Sequence, residues 1–198
     1  TPINLRYEGS APFMAMAYSR LSGKPGVCSA SCGPGIANLV PGVLEAYYAC
    51  SPLVIICPAA SQKTEGRGDF QECDQVGMMK PITKWSARIP QTERISWFIR
   101  RAFSIAVNGQ PGPVFLEMPY DVGGSVSQEF EPVDIGQPKY VPAKKIRMAG
   151  DPKLISEAVD LLLKVERVVV VAGNGTVLSG ASEEFREFVE LLGIPFLT

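Results

Sequence analysis

Apolar residues along this chain fall into short blocks, and the spacing inside the blocks alternates between two periods. Pro52-Leu53-Val54-Ile55-Ile56-Cys57 is continuous and β-branched, which predicts a strand buried on both faces. Val114 to Met118 has the same character, Gly26 to Ala30 and Lys84 to Ile89 predict further strands, and Ile3 to Tyr7 predicts a short one. Between them the period changes to that of a helix. Ala11 to Leu21 carries Phe13, Met14, Met16 and Ala17, and roughly 37 to 50 carries Leu39, Val40, Val43, Ala46 and Tyr47. Glu93 to Asn108 places Ile95, Phe98, Ile99, Ala102, Phe103 and Ala106 on one face, an amphipathic helix. Strands alternating with helices predict βαβ units around a parallel sheet covered on both sides.

The pattern dissolves after Tyr120 into Pro, Gly, Ser and charged residues, the composition of a linker. It then resumes. Pro152 follows Asp151 at a helix start, where proline is pre-organised, and that helix runs to about Val165. Arg167 to Val171 reads as a strand, Ala172-Gly173-Asn174-Gly175 as a loop, Ser182 to Leu192 as a helix and Ile194 to Leu197 as a strand. The expected organisation is a first α/β domain over 1–122, a linker over 123–150 and the start of a second, Rossmann-like α/β domain over 151–198. Two strands do not close a three-layer domain, so the second is expected to be truncated.

The stretch with most chemical interest is Ser31-Cys32-Gly33-Pro34-Gly35-Ile36-Ala37-Asn38. It joins a strand to a helix. Two glycines allow close approach of backbone or ligand, and Pro34 stiffens the turn while removing a donor. In open α/β sheets ligands sit at such corners, outside the carboxyl ends of strands. A tight βα turn with no ligand is the alternative. Glu8 stands just before the first helix. It either caps that helix or is an acid pointing into a crevice.

Composition narrows the chemistry. The chain has 198 residues, 46% of them hydrophobic, and a net charge of −1, so it can bury a core and has no charge run suited to nucleic acid or a membrane surface. No apolar run is long enough to span a bilayer. There is no histidine, which excludes Ser-His-Asp and Cys-His nucleophile systems within this chain. Cys28, Cys32, Cys50, Cys57 and Cys73 lie mostly in apolar runs and predict reduced, packed thiols in a cytoplasmic protein. No second pair completes a zinc site with Cys28 and Cys32.

An ordered series of segments resembles one family. Arg6-Tyr7-Glu8-Gly9-Ser10-Ala11, Gly23-Lys24-Pro25-Gly26-Val27-Cys28 and Gly33-Pro34-Gly35-Ile36-Ala37-Asn38 look like the pyrimidine-binding domain of thiamine-diphosphate enzymes. So do Asp69-Phe70-Gln71-Glu72, Pro81-Ile82-Thr83-Lys84, Gly109-Gln110-Pro111-Gly112-Pro113-Val114 and Pro119-Tyr120-Asp121-Val122. The acetolactate synthase group is the branch most resembled, and 151–198 resembles the opening of that family's central domain. The resemblance implies a three-layer parallel-sheet domain lacking its first strand and helix, and an activity that decarboxylates a 2-oxo acid and passes the product to an acceptor. It implies Glu8 as the acid beside the aminopyrimidine N1′ of the cofactor, a role that needs a carboxylate held dry. Gly33, Pro34, Gly35 and Asn38 would lie near the pyrimidine. Gln71 and Lys84 would lie on the substrate side, with Phe70 as an apolar wall.

The resemblance further implies Mg2+ and diphosphate held by a third domain absent from this sequence, and FAD or ADP in the central domain near Gly173, Asn174 and Gly175. A dinucleotide fingerprint there would need glycine at Leu178. It also implies a homodimer or homotetramer sharing cofactor between chains, with the helix bearing Val43, Tyr47 and Tyr48 as candidate interface. Three positions depart from the acetolactate synthase pattern: Tyr7 stands where histidine is usual, Gln110 where a flavin-contacting arginine is usual, and Tyr120 where lysine is usual. The Thr83-Lys84-Trp85-Ser86-Ala87-Arg88 run also resembles 2-hydroxyacyl-CoA lyases and oxalyl-CoA decarboxylases, whose substrates are acyl-CoA thioesters. A non-catalytic structural or regulatory protein on this fold is the reading from another class.

Overall fold

A computed structural model describes residues 2–125, 146 and 148–198, and these fall into two compact units, 1–146 and 147–198. Most of the expected linker lies outside the described residues.

The first unit runs α1 (Ser10–Ser22), β1 (Gly26–Cys28), α2 (Pro34–Tyr48), β2 (Leu53–Ala59), α3 (Gln75–Met79), β3 (Trp85–Arg88), α4 (Ile95–Val107), β4 (Pro113–Pro119) and α5 (Tyr120–Gly123). Its four strands are all parallel in the order β1-β2-β4-β3. The central pair, β2 and β4, is in register over seven residues, from Leu53 opposite Pro113 to Ala59 opposite Pro119. The chain steps from β1 to β2 in one direction and from β3 back to β4 in the other. Right-handed crossovers then put the two connecting helices on opposite faces. The buried clusters agree: Ile36, Leu39 and Val43 of α2 pack with Leu53, Ile55 and Phe115, whereas Phe98, Ala102 and Ala106 of α4 pack with Val54, Val114 and Leu116. This is the expected three-layer α/β arrangement with a parallel sheet.

Close backbone contacts fix α1 on this frame. A Cβ at Gly26 would collide with the backbone carbonyl of Ala15, and one at Gly42 would come within 2.7 Å of Pro12 Cγ. Glycine at both positions lets α1 lie tight against β1 and α2. The start of α1 is thereby brought to the start of α2.

The structure departs from the sequence reading in several places. Residues 2–5 form no strand, and Ile3 is 71% exposed; a lone apolar run gains little as a strand without a ladder to join. Helix α2 begins at Pro34, three residues before the apolar period, because proline at the first helical position is already in helical geometry. Val43 is fully buried in the core, so it is not available to an interface; Tyr47 and Tyr48 of the same helix are exposed. Helix α3 was not expected, since five residues are too few to show a period; the Asp74 side chain caps it by accepting from the Gly77 amide at 2.7 Å.

The second unit contains α6 (Pro152–Leu162), β5 (Val170–Val171), α7 (Asn174–Ser179), α8 (Ser182–Leu192) and β6 (Phe196–Leu197), with β5 and β6 parallel. Asp151 caps α6 by accepting from the Lys153 amide at 2.8 Å, as the Asp-Pro pair predicts. A short helix, α7, occupies residues read as loop onwards from Asn174 and ends at Gly180 in the left-handed region, φ 70°. Among the described residues no helix is long and apolar enough to cross a membrane.

Candidate active site

The first turn of α2 is the hub of the site, at the carboxyl end of the sheet. Gly33 is its N-cap, with φ 60° and ψ −113°, a conformation that L side chains rarely adopt. A Cβ there would also meet the Gln71 carbonyl oxygen at 2.6 Å. Gly33 is therefore required twice, once by its backbone and once by the loop that lies on it. Gly35 is equally crowded: a Cβ would run into the Ser31 hydroxyl. Gly33 and Gly35 are buried and Pro34 between them is exposed, so a stiff corner presents its proline outward.

Glu8 and Asn38 meet on one side of this turn. The Asn38 side-chain amide donates to the Glu8 carboxylate at 3.3 Å. The N-cap of α1 is Gly9, with no side-chain cap, so the capping role open to Glu8 is not the one it takes. Both side chains are half-buried. The carboxylate is thus less dry than a role beside N1′ requires.

Gln71, Phe70 and Tyr120 gather around Cys32, just before the turn. The Cys32 thiol, itself 1% exposed, lies 3.7 Å from Gln71 Oε1, 3.8 Å from the Phe70 carbonyl and 3.9 Å from Tyr120 Oη. The Phe70 ring is 69% exposed, so it is available as a wall and is not packed in the core. Gln71 has φ 55°, and strain of this kind in a non-glycine residue is sustained only where neighbours enforce it. The loop before it supplies them. The Glu72 carboxylate accepts from the Gly66, Gly68 and Asp69 amides, and Asp69 accepts from Phe70 N at 2.7 Å and from Thr64 Oγ1. The backbone amide of Gly66 is the largest influence holding Glu72 below the usual carboxylate range.

Lys84 is not part of this grouping. It precedes β3, at the amino end of the sheet, and its ammonium donates to the carbonyls of Ile105 and, at 2.6 Å, Asn108 at the end of α4. Its role here is to bind the last carbonyls of a helix, and burial lowers its pKa.

Three residues escaped sequence reasoning. Glu117, on β4, is 1% exposed and receives the Arg88 guanidinium on Oε1 and the Gln75 amide on Oε2 at 3.0 Å. Burial alone would pull the Arg88 guanidinium down, but the hydrogen bonds and charge of Glu117 and Glu65 outweigh it and raise its pKa. A carboxylate inside the apolar run Val114 to Met118 was the visible signal for this network. Gln75 gave none. The described residues contain no group of three His, Cys, Asp or Glu able to hold a metal ion.

Gly173, Asn174 and Gly175 belong to the second unit, exposed at the carboxyl end of β5. A Cβ at Gly173 or Gly175 would meet nothing within 4 Å, so packing does not require glycine at either position.

Comparison with known proteins bears on the same segments. Residues 1–78 match the family described as thiamine pyrophosphate enzyme, N-terminal TPP binding domain, and residues 155–198 match its central domain. A probable acetolactate synthase large subunit of Methanocaldococcus jannaschii is 38% identical over 196 residues, 98% of this chain and 32% of that protein. The acetolactate synthase large subunit of Buchnera aphidicola subsp. Acyrthosiphon pisum is 36% identical over 198 residues, 99% of this chain and 34% of that protein. A 2-hydroxyacyl-CoA lyase of Arabidopsis thaliana is 36% identical over 191 residues, 96% of this chain and 33% of that protein. The chain spans about a third of the length of these curated relatives. With two family domains matched in order across more than half of its residues, the chain belongs to the thiamine pyrophosphate enzymes.

Proposed function

We propose that this chain supplies the pyrimidine half of a thiamine-diphosphate site in an acetolactate synthase-like enzyme. That enzyme decarboxylates a 2-oxo acid and transfers the remaining fragment to an acceptor. The observation that carries the reading is the meeting of Glu8 and Asn38 at the first turn of α2, beside the Gly33-Pro34-Gly35 corner. The donor set fits an aminopyrimidine: a carboxylate oriented by an amide, next to a stiff corner whose two glycines carry no side chain. The diphosphate and its Mg2+ are not assigned to residues of this chain.

When bound, thiamine diphosphate would supply the nucleophilic carbon that chemistry at a 2-oxo group needs. The residues of this chain act around it. Glu8 would hold a proton at the ring nitrogen N1′, and Asn38, which donates to its carboxylate, would keep it oriented for that. Gln71 and Tyr120 offer polar groups at the mouth, and the exposed face of Phe70 offers an apolar wall. Lys84, at the other end of the sheet, is not assigned a role in catalysis.

We place a nucleotide contact, FAD or ADP, at Gly173-Asn174-Gly175. We also propose that a second copy of the enzyme completes the site, in a dimer or a tetramer of dimers. The half-exposed Glu8 and the exposed Tyr47, Tyr48 and Phe13 on the same side of the sheet support this. Five free thiols support a reducing, cytoplasmic setting.

A second reading is an acyl-CoA lyase or decarboxylase, favoured by the similarity to the Arabidopsis lyase. The test is turnover of pyruvate, a 2-hydroxyacyl-CoA and oxalyl-CoA by the full-length enzyme, with and without thiamine diphosphate. Cofactor-dependent turnover of pyruvate is expected. Turnover of the thioesters alone selects the second reading, and no cofactor-dependent turnover of any of the three overturns both in favour of a non-catalytic role.

A further inference from the structure

We propose that Gln75 and Glu117 are positioning residues that set the location of the Gly33-Pro34-Gly35 corner; as a statement about cofactor binding this rests on the reading above. Gln75 is 2% exposed, and every polar group of its side chain is used. Oε1 accepts from the Gly33 amide at 2.7 Å, while Nε2 donates to Glu117 Oε2 at 3.0 Å and to the Pro58 carbonyl at 3.2 Å. The two acceptors fix which way the amide points. Its nitrogen must face Glu117 and Pro58, so its oxygen must face Gly33. Glu117 is fixed in turn by the Arg88 guanidinium, which pairs with it directly and also reaches Glu65 at 2.6 Å.

The corner is thus gripped from two directions. The Gln71 backbone lies against the Cα of Gly33, and the Gln75 side chain holds its amide. A buried chain of this kind is strong when complete and costly when broken at one member, because the orphaned group keeps its full desolvation penalty. The ladder places Arg88 directly opposite Glu117. The network therefore hangs on two strands of the sheet and ends at the amide of the helix N-cap, a rigid route from core to site.

The experiment uses the full-length protein with two readouts. Hydrogen–deuterium exchange over residues 31–38 reports the Gly33 amide directly and does not depend on cofactor. Titration of activity with thiamine diphosphate gives the half-saturating concentration separately from kcat. Gln75→Met keeps the side-chain length and removes both ends of the link. It should speed exchange in that segment and raise half-saturation about tenfold or more, with a smaller change in kcat at saturating cofactor. Glu117→Gln should do the same by orphaning the Gln75 amide or Arg88. The double exchange, Gln75→Glu with Glu117→Gln, rebuilds an acceptor for Gly33, a donor between the two side chains and an acceptor for Arg88, and leaves only the Pro58 carbonyl without its donor. It should bring half-saturation at least about threefold below that of either single variant.

Wild-type exchange and half-saturation in Gln75→Met would overturn the proposal. So would a double exchange no better than the single variants, which is the result expected if the two residues merely fill the core; this arm decides the matter should Gln75→Met not fold. If the wild-type protein does not respond to thiamine diphosphate, the proposed function falls, and the exchange measurement still decides whether Gln75 holds the corner.

Discussion

The two units are written in the same alternation of β-branched runs and amphipathic helices, yet they differ in what they hide. In the four-stranded unit, Ile36, Leu39, Val43, Leu53, Val54, Ile55, Phe115 and Leu116 are all 0% exposed. In the two-stranded unit Val189 is the one buried hydrophobic residue among those described, while Leu161, Leu163, Val171, Val177 and Leu191 remain exposed. Helix α8 has a clear apolar stripe, but two strands of two residues give it little sheet to cover. Periodicity records which face of an element is apolar; it does not record whether enough sheet exists to bury that face. The site follows the same division, because a side chain is held to within a fraction of an ångström only where its supports are packed. Glu8, Asn38, Gln71 and Gly33 are set by tight helix and loop contacts, whereas Gly173 and Gly175 stand in open space.

The contrast can be broken first in the core. In this 198-residue chain, Leu39→Ala should cost about 2–5 kcal/mol. Urea unfolding followed by Trp fluorescence measures it cleanly, since the only tryptophans, Trp85 and Trp97, are both in the first unit. Leu161→Ala, at a residue 65% exposed, should change stability by less than about 0.5 kcal/mol, read by far-UV circular dichroism, which also follows the helices of the second unit. Equal losses would show that the second unit buries its stripe after all.

The corner is the next place to press. Gly33→Ala should cost about 1–3 kcal/mol and weaken cofactor binding, since the added methyl meets the Gln71 carbonyl. Gly173→Ala should be nearly neutral, with no atom within 4 Å of the new Cβ. Thermal midpoints of the two variants decide the point.

The smallest effect concerns the thiols. Burial pushes Cys28 and Cys57 up to about 12. At pH 8 their thiolate fraction is then on the order of one in ten thousand. Iodoacetamide followed by mass spectrometry should modify exposed Cys73 and leave Cys28 and Cys57 untouched. Rapid labelling of either buried thiol would mean that the first unit opens readily.

Much of this was legible in the chain. Continuous β-branched runs announced β2 and β4, and the Ile95 to Ala106 stripe announced α4. The Gly-Pro-Gly corner announced itself because only glycine tolerates its backbone. Contacts made at long range were not legible. Nothing near Gln75 in sequence says that its amide will reach Gly33, 42 residues away, and nothing near Lys84 says that its ammonium will be captured by the end of α4. Ile3 to Tyr7 reads as a strand because its composition suits one, but a strand is defined by its neighbour.

The central claim is that Glu8, held by Asn38 at the first turn of α2, is the acid that serves the cofactor. The most direct measurement is kcat of full-length Glu8→Gln at saturating thiamine diphosphate, with circular dichroism to confirm the fold. A fall of orders of magnitude with the fold intact is predicted, because the amide keeps the shape of the carboxylate and one oxygen to accept from Asn38 while losing its capacity to hold the N1′ proton. Turnover near that of the wild type would contradict the assignment.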